Sequence, residues 1–237
     1  MTANEVLITT RRPENGNDLV PVLDSGWVRL SAIFGDEQFI AESARQSTSG
    51  ATKGEAQDRR LIKRLWKDRH TGPFEMASIT FTMKAPLFVV QQILRHRTGK
   101  FNQFSFRYSD GVTDGKTVEA GEELDFYTPP HVRPGASYES GVRVKLAYAQ
   151  INALEAYKDL LAQGVPSELA RIVLPAGLYT RLRVQFDLHN LLKFILLRTK
   201  KDVQWETRQY AWAMWDLARP HFPGLAEVSG VGVEEEK

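Results

Sequence analysis

Four segments of the chain alternate apolar and polar residues with the two-residue period of a half-buried β-strand. They are residues 27–34, 77–83, 102–108 and 178–186. The inward face expected for the first of them is formed by Val28, Leu30, Ala32 and Phe34. The sequence therefore predicts at least four strands, each covering a core with one of its faces.

In the first half of the chain, apolar residues spaced three or four apart predict three helices between these strands. Asp36 is placed to cap the first helix, and the second follows Gly54 and ends at the Gly72-Pro73 pair. The third is expected to begin at Pro86 and to reach about Arg97. Helices and strands thus follow one another without a long interruption in this half.

The second half predicts further helices. Residues 146–161 have the pattern of an amphipathic helix that Gly164 closes, and a short helix begins at Pro166. Asp187 is placed to cap a helix that ends at Arg198. The last helix carries Trp205, Trp212 and Trp215, at a spacing that is typical of core packing.

The order of these elements indicates the fold class. Strands and helices are mixed without the regular spacing of β-α-β units, so we expect an α+β fold with mixed helices and an antiparallel-leaning sheet. No GxGxxG motif follows a strand, so a dinucleotide site in this chain would be of a non-Rossmann type. We expect one catalytic domain over residues 1–237, with a mobile N-terminal extension, a mobile loop over 110–123 and a mobile acidic C-terminal tail.

Composition narrows the chemistry that the chain can perform. The 237 residues are 42% hydrophobic and 25% charged, as in ordinary globular proteins, and cysteine is absent. That absence excludes disulfides, iron–sulfur clusters and any reaction that needs a protein thiolate. His131, His189 and His221 lack the spacing of a zinc motif, so we expect no metal site. There is no apolar leader and no run of about 18 apolar residues, so we expect a soluble, cytoplasmic protein.

Positive charge is concentrated in two segments, although the net charge is only +2. Residues 76–109 carry five Lys or Arg and no carboxylate, and residues 169–201 carry seven against Asp187 alone. Binding an anion requires this kind of concentration, but two solvated faces would show the same pattern. Charge alone leaves both interpretations open.

The densest group of polar side chains lies in residues 91–108. On the predicted helix, Gln92 and Arg95 share a face with His96 beside them. The polar face of the predicted strand is formed by Gln103, Ser105 and Arg107. Guanidinium, amide and hydroxyl groups together bind phosphates and base edges, which makes this segment a candidate nucleotide site. The alternative is a helix–strand junction with solvated arginines.

One serine in this group raises the question of covalent chemistry. Ser105 has no evident general base near it in the sequence, so contact with a phosphate or a base is favoured over a nucleophilic role.

A second function class uses the same segment. Phe101, Phe104, Phe106 and Tyr108 interleave with its cations, as in modules that stack single-stranded nucleic acid on aromatic rings. The alternation argues against this interpretation, because it puts Phe104, Phe106 and Tyr108 on the face opposite the polar side chains, where they are better placed as core.

Several motifs together resemble the flavin-dependent thymidylate synthases. Arg95-His96-Arg97 followed by seven residues and Ser105 matches that family's RHR-x7-S signature. Other segments resemble the family in the same order, namely ARQS ending at Ser47, HTGPFE from His70, KAPLFVVQQ, GVPSELARIVLP and the LRxxxxxQWE pattern at Arg198. The resemblance spans about residues 24–219.

The resemblance implies an activity, its cosubstrates and an assembly. Members of the family transfer a methylene carbon from methylenetetrahydrofolate to dUMP and reduce it with flavin hydride, and NADPH reduces the FAD. A chain without cysteine agrees with this chemistry, because the other route to dTMP needs a thiolate. A homotetramer with shared active sites is implied as well. A relative that hydroxymethylates a pyrimidine nucleotide stays open as an alternative.

The resemblance also implies site residues. The cofactor-binding positions would be Ser47, His70, Gly72, Arg95, His96, Arg97, Gln103, Asp187, Leu188, His189 and Lys193. The positions for dUMP would be Gln92, Arg95, Gln103, Phe104, Ser105, Phe106, Arg107, Arg171 and Arg198. Arg198 would lie beside the pyrimidine and favour its N3-ionised form, which makes C5 nucleophilic.

Four positions depart from the family's usual residues. Gly72 stands where Ser or Thr is common, Met76 where His is common, and Lys100 where Ser is common. Lys193 stands where Asn or His is usual and adds a positive charge near the flavin.

Overall fold

A computed structural model describes residues 10–11, 19–47, 54–106, 124–130, 132–133, 136–137 and 140–232. Its strands are β1 Thr10–Arg11, β2 Leu19–Val22, β3 Gly26–Phe34, β4 Ser78–Pro86, β5 Lys100–Gln103, β6 Val132–Arg133, β7 Ala136–Ser137 and β8 Tyr179–Asp187. Its α-helices are α1 Glu37–Arg45, α2 Glu55–Lys67, α3 Gly72–Glu75, α4 Leu87–Ile93, α5 Ser140–Ala162, α6 Ser167–Ala170, α7 Leu188–Arg198, α8 Trp205–Ala218 and α9 Pro223–Ala226. Two 3₁₀ turns, Arg171–Val173 and Arg219–His221, follow α6 and α8.

The main sheet is antiparallel throughout. Its strand order is β1-β3-β4-β8-β5, and β2 pairs with the same edge of β3 as β1 does. The long central strands β4 and β8 pair over their whole length, from Ser78 opposite Asp187 to Pro86 opposite Tyr179. The prediction of an α+β fold with an antiparallel sheet is confirmed.

The core lies under one face of this sheet. Alternate residues of β4 and β8 point into it and are fully buried, namely Ile79, Phe81, Met83, Leu182 and Val184. Helix α7 covers β4 and β8, and α8 covers β2 and β3. The alternation predicted for 77–83 and 178–186 therefore selects the correct faces.

The inward face predicted for β3 is correct in the first half of the strand and wrong in the second half. The pairing with β4 shifts register between Leu30 and Ala32. A bulge of this kind adds a residue and exchanges the two faces of the strand beyond it. As a result Ile33 is buried in the core, whereas Phe34 is exposed.

Two helix ends also differ from the sequence prediction. Helix α2 ends at Lys67, before the Gly72-Pro73 pair, which instead begins the short helix α3. Helix α4 ends at Ile93 rather than near Arg97. The predicted caps do form, because the Asp36 carboxylate accepts from the Phe39 N–H and the Asp187 carboxylate accepts from the Asn190 N–H.

The three tryptophans predicted to pack in the core differ in their burial. Trp215 is buried in the core, but Trp205 and Trp212 are half-buried and border a cavity beside β2.

Helix α5 also differs from expectation, because it exposes large apolar side chains instead of one polar face. No helix in the described ranges has the length and apolar character needed to cross a bilayer.

A buried ion pair joins the first two helices. The Arg45 guanidinium on α1 contacts the Asp58 carboxylate on α2 at 2.5 Å, and both side chains are less than a tenth exposed. Helices α1 and α2 precede Ser47 and His70, two of the positions that the sequence assigns to a cofactor.

We expect Asp58→Ala to lower the free energy of unfolding by about 3–5 kcal/mol, because it leaves the Arg45 charge buried without this partner. The double variant Arg45→Met/Asp58→Leu is expected to recover most of that loss, since it removes both charges. Urea unfolding of the three proteins measures the effect. A single variant as stable as the unmodified chain would contradict it.

Candidate active site

A tight turn brings the two halves of the RHR-x7-S segment together. The Gly99 N–H donates to the His96 carbonyl, and β5 begins at Lys100 and pairs with β8. A Cβ atom at Gly99 would lie 2.4 Å from the Phe101 ring and 2.7 Å from the Phe186 ring. Glycine is therefore required here by close approach, and the turn sends Gln103 back along the sheet.

Gln103, Ser105 and Arg171 line one pocket of about 480 Å³, which we call the Arg171 pocket. Its other walls are Leu87, Phe104, Phe106, Ile172, Leu174 and Leu178. An amide, a hydroxyl and a guanidinium thus share a cavity whose remaining walls are apolar. Such a combination suits a ligand with a planar ring and an anionic group.

The chain leaves the sheet after Gln103, and this corrects the predicted strand over 102–108. Beyond that point the consecutive residues Phe104, Ser105 and Phe106 all line the Arg171 pocket. The Phe104 and Phe106 rings meet edge to face with centroids 5.0 Å apart. Arg107 and Tyr108, at the end of the predicted strand, lie outside the described residues, as does the predicted loop over 110–123.

A second group of polar residues forms around Arg198, the last residue of α7. The Arg198 Nε donates to His96 Nε2 at 2.9 Å, and its Nη2 donates to the Gln92 carbonyl at 3.0 Å. These two acceptors fix the plane of the guanidinium. Its position at the carboxyl end of α7 is favourable for a cation, since the helix dipole is negative there.

Burial and two neighbouring cations keep His96 neutral, and the hydrogen bond from Arg198 fixes its tautomer. Burial, together with the positive charges of Arg198 and Lys193, lowers the pKa of His96 from 6.5 to about 4. The imidazole is therefore neutral at physiological pH. Because Nε2 accepts, the ring proton lies on Nδ1. The Phe194 ring contacts His96 edge to face, with centroids 4.8 Å apart.

A larger pocket of about 1120 Å³ lies between α2 and α7, and we call it the basic pocket. His189 and Lys193 line it from α7, and Trp66 lines it from α2. The His189 Nδ1 is buried and has no hydrogen-bond partner in the described part of the chain. A buried nitrogen that lacks a partner there, an aromatic ring and a cation together are suited to bind a large aromatic ligand that carries phosphates.

The remaining cofactor positions fall into three kinds. Ser47, His70, Arg95 and Arg97 are exposed at the ends of α1, α2 and α4. A Cβ atom at Gly72 would meet nothing within 4 Å, so a hydroxyl side chain there would be tolerated sterically. Asp187 uses both carboxylate oxygens to cap α7 through Asn190.

Among the predicted positions that the structure describes, Leu188 has a side chain without exposed surface. Its side chain is fully buried and its N–H donates to the Ala77 carbonyl at 2.9 Å. The side chain packs in the core that supports α7, so a direct contact between it and a ligand has no structural support.

The structure adds residues that sequence reasoning did not assign to the site. The Gln204 side chain accepts a hydrogen bond from Gln92, which places it beside the Arg198 group. Glu206, two residues further on, lines neither site pocket; it is buried and accepts from the Tyr127 hydroxyl at 3.0 Å. Both belong to the QWE part of the LRxxxxxQWE pattern, which was the available signal. No sequence signal indicated that Phe194 contacts His96, because its position in the pattern is that of an ordinary core residue of α7.

Comparison with known proteins shows the family to which this chain is related. Residues 29–224 match the Thy1 family, thymidylate synthase complementing protein. A flavin-dependent thymidylate synthase from Thermus thermophilus is 39% identical over 214 residues, covering 86% of this chain and 75% of the relative. One from Thermotoga neapolitana is 37% identical over 210 residues, covering 88% and 92%.

A solved structure extends the likeness to the fold. The crystal structure of a UMP/dUMP methylase from Streptomyces cacaoi, bound with 5-Br dUMP, has a TM-score of 0.74 and 28% sequence identity. The likeness covers 88% of this chain and 96% of the methylase. Since the family match, the relatives and the fold agree over most of its length, this chain belongs to the Thy1 family of thymidylate synthase complementing proteins.

Proposed function

We propose that this chain is a flavin-dependent thymidylate synthase that methylates dUMP to dTMP. The carbon comes from methylenetetrahydrofolate, the cofactor is FAD and the reductant is NADPH. Beside the family membership, one observation carries the proposal. Gln103, Ser105 and Arg171, assigned to dUMP from separate parts of the sequence, line the same pocket.

The Arg171 pocket supplies the groups that dUMP requires. The Arg171 guanidinium is exposed at the rim, with its Nε bonded to the Glu168 carbonyl, so its terminal nitrogens are directed by the α6 turn. A guanidinium binds phosphate through a fork of two donors. Gln103 and Ser105 offer neutral donors and acceptors for sugar and base, and the phenylalanines offer apolar surface for the ring.

Arg198 has a different task in this proposal. Held between His96 and the Gln92 carbonyl, its guanidinium keeps one orientation before the substrate arrives. A fixed cation near N3 of the pyrimidine stabilises the anionic ring, and the charge then resides partly on C5. Such preorganisation raises the nucleophilicity of C5 without a protein thiolate, which this chain lacks.

The basic pocket fits the flavin. His189 offers a buried nitrogen that has no hydrogen-bond partner among the described residues, Lys193 offers a cation, and Trp66 contributes a ring. After reduction by NADPH, a flavin bound here would supply the hydride that reduces the transferred carbon. The chain's own contribution is to bind the cofactor's aromatic and phosphate groups and to offer the His96 Nδ1 proton as a donor.

A homotetramer with shared active sites completes the proposal. On α5, Val144 and Tyr148 are each 67% exposed, and Ile172, which lines the Arg171 pocket, is 76% exposed. Large apolar side chains are rarely left in water in such a group. A second copy covering α5 and the 171–173 turn would bury them and close the pocket. The cytoplasmic location stays a prediction.

Anaerobic turnover of the purified protein with dUMP, methylenetetrahydrofolate and NADPH tests the proposal, with the nucleotide product identified by mass. We expect dTMP and a flavin spectrum in the protein. A product heavier than dTMP by one oxygen would assign the chain to pyrimidine hydroxymethylation instead. Parallel reactions with UMP measure how strictly the deoxyribose is required.

Arg171→Gln is expected to weaken dUMP binding by roughly 1.5–3 kcal/mol, because a hydrogen bond to a charged group is lost. Titration with dUMP measures it. Arg219→Gln, an exposed arginine beyond α8, is the control for loss of one surface charge and should bind dUMP normally. Equal affinities of the two variants would remove Arg171 from the site.

Arg198→Ala is expected to lower kcat by about 10²-fold, or ~3 kcal/mol of transition-state stabilisation, while the flavin spectrum persists. Arg198→Lys should recover only part of the loss, since an ammonium cannot hold both acceptors in one plane. Steady-state kinetics with dUMP give the comparison. An unchanged kcat with a raised KM would make Arg198 a binding residue only.

The depressed pKa of His96 predicts a loss of stability in acid. Because its folded pKa of about 4 lies below the ordinary 6.5, its contribution is complete above pH 6.5 and is lost as the pH falls to 4. His96→Gln keeps an acceptor for Arg198 but cannot titrate, so it should lose less stability over this interval. Urea unfolding at both ends of the interval gives the difference. Equal losses of unfolding free energy in the two proteins would contradict the lowered pKa of His96.

A further inference from the structure

The basic pocket carries more positive charge than its two α7 residues supply. Helix α2 and the turn after it contribute Lys63, Arg64, Lys67 and Arg69 to its lining, against the single carboxylate of Asp68. None of these four cations is among the positions assigned to FAD or dUMP. A concave surface with this excess of positive charge attracts anions.

The ion pairs of the described residues divide these cations into two sets. Lys63 pairs with Glu227, and Arg64 pairs with Asp68. Lys67, Arg69 and, across the pocket, Lys193 have no carboxylate within salt-bridge distance in the described ranges. Three cations from α2, the turn after it and α7 therefore line one cavity without an ion-pair partner among the described residues.

The backbone at Arg69 gives a second and independent indication. Its φ is +57°, in the left-handed region, where glycine or asparagine is usual. The Arg69 N–H donates to the Trp66 carbonyl and the His70 N–H to the Leu65 carbonyl, which are the two bonds of a Schellman motif. A glycine would close α2 in this way without strain, so the arginine side chain at this position points to a function.

We propose that Arg69, Lys67 and Lys193 form a site for anionic carboxylate or phosphate groups on a ligand of the reaction. The inference rests on the proposed function, which supplies two sources of such groups. They are the glutamate carboxylates of the folate and the phosphates of FAD. In either case Arg69 and Lys67 extend the ligand site beyond α7 and along the end of α2.

The test compares Arg69→Gly and Lys67→Gln with Arg60→Gln, an exposed arginine of α2 that does not line the pocket. Arg69→Gly relieves the strained backbone, so its urea midpoint should not fall, and any loss of binding is then not a folding defect. Two affinities are measured by titration on each protein. The probes are FAD, and tetrahydrofolate carrying one or several glutamates.

If folate carboxylates occupy the site, both variants should bind the polyglutamyl form about threefold to tenfold more weakly, with a smaller effect on the monoglutamate and unchanged FAD binding. If FAD phosphates occupy it, FAD affinity should fall by a similar factor and the folate affinities should persist. Both effects should shrink at high salt.

Variants that match Arg60→Gln in every titration would overturn the inference. Failure of the proposed function would look different, because the unmodified protein would then form no dTMP. Failure of this inference leaves that turnover intact.

Discussion

The hydrogen bond from the Arg198 Nε to the His96 Nε2 is the interaction on which the site depends. It joins the end of α7 to the turn that follows α4 and therefore connects two segments 102 residues apart in the sequence. It also requires a neutral imidazole, which burial and two neighbouring cations provide. A histidine assigned by resemblance to the cofactor thus orients the arginine assigned to the pyrimidine, so the two proposed ligand sites would share one polar contact.

The rest of the fold keeps these two residues in place. The Asp187 cap begins α7 at the end of β8, and the core residues of α7 set the direction in which its last residue, Arg198, points. On the other side, the Gly99 turn folds β5 against β8 and leads the chain into the Arg171 pocket. The same central strand therefore positions both the guanidinium that would act on the base and the pocket that would hold the nucleotide.

Sequence periodicity predicted the elements that depend on burial and missed those that depend on backbone detail. The strand over 178–186 and the Asp36 and Asp187 caps follow from local chemistry and are confirmed. The bulge in β3 that buries Ile33 could not be predicted, because nothing in its composition marks the extra residue. Arg69 illustrates the same limit, since its left-handed conformation is a property of the backbone and not of the residue type.

Most polar residues of the candidate site were found in the sequence through motifs, and the structure supplied their grouping. A direct measurement of that grouping is the ¹⁵N NMR spectrum of the His96 imidazole at neutral pH. We expect Nε2 to be unprotonated and to accept the hydrogen bond from Arg198, with the proton on Nδ1. An imidazolium, or a ring protonated at Nε2, would show that His96 does not hold Arg198 and would contradict the account.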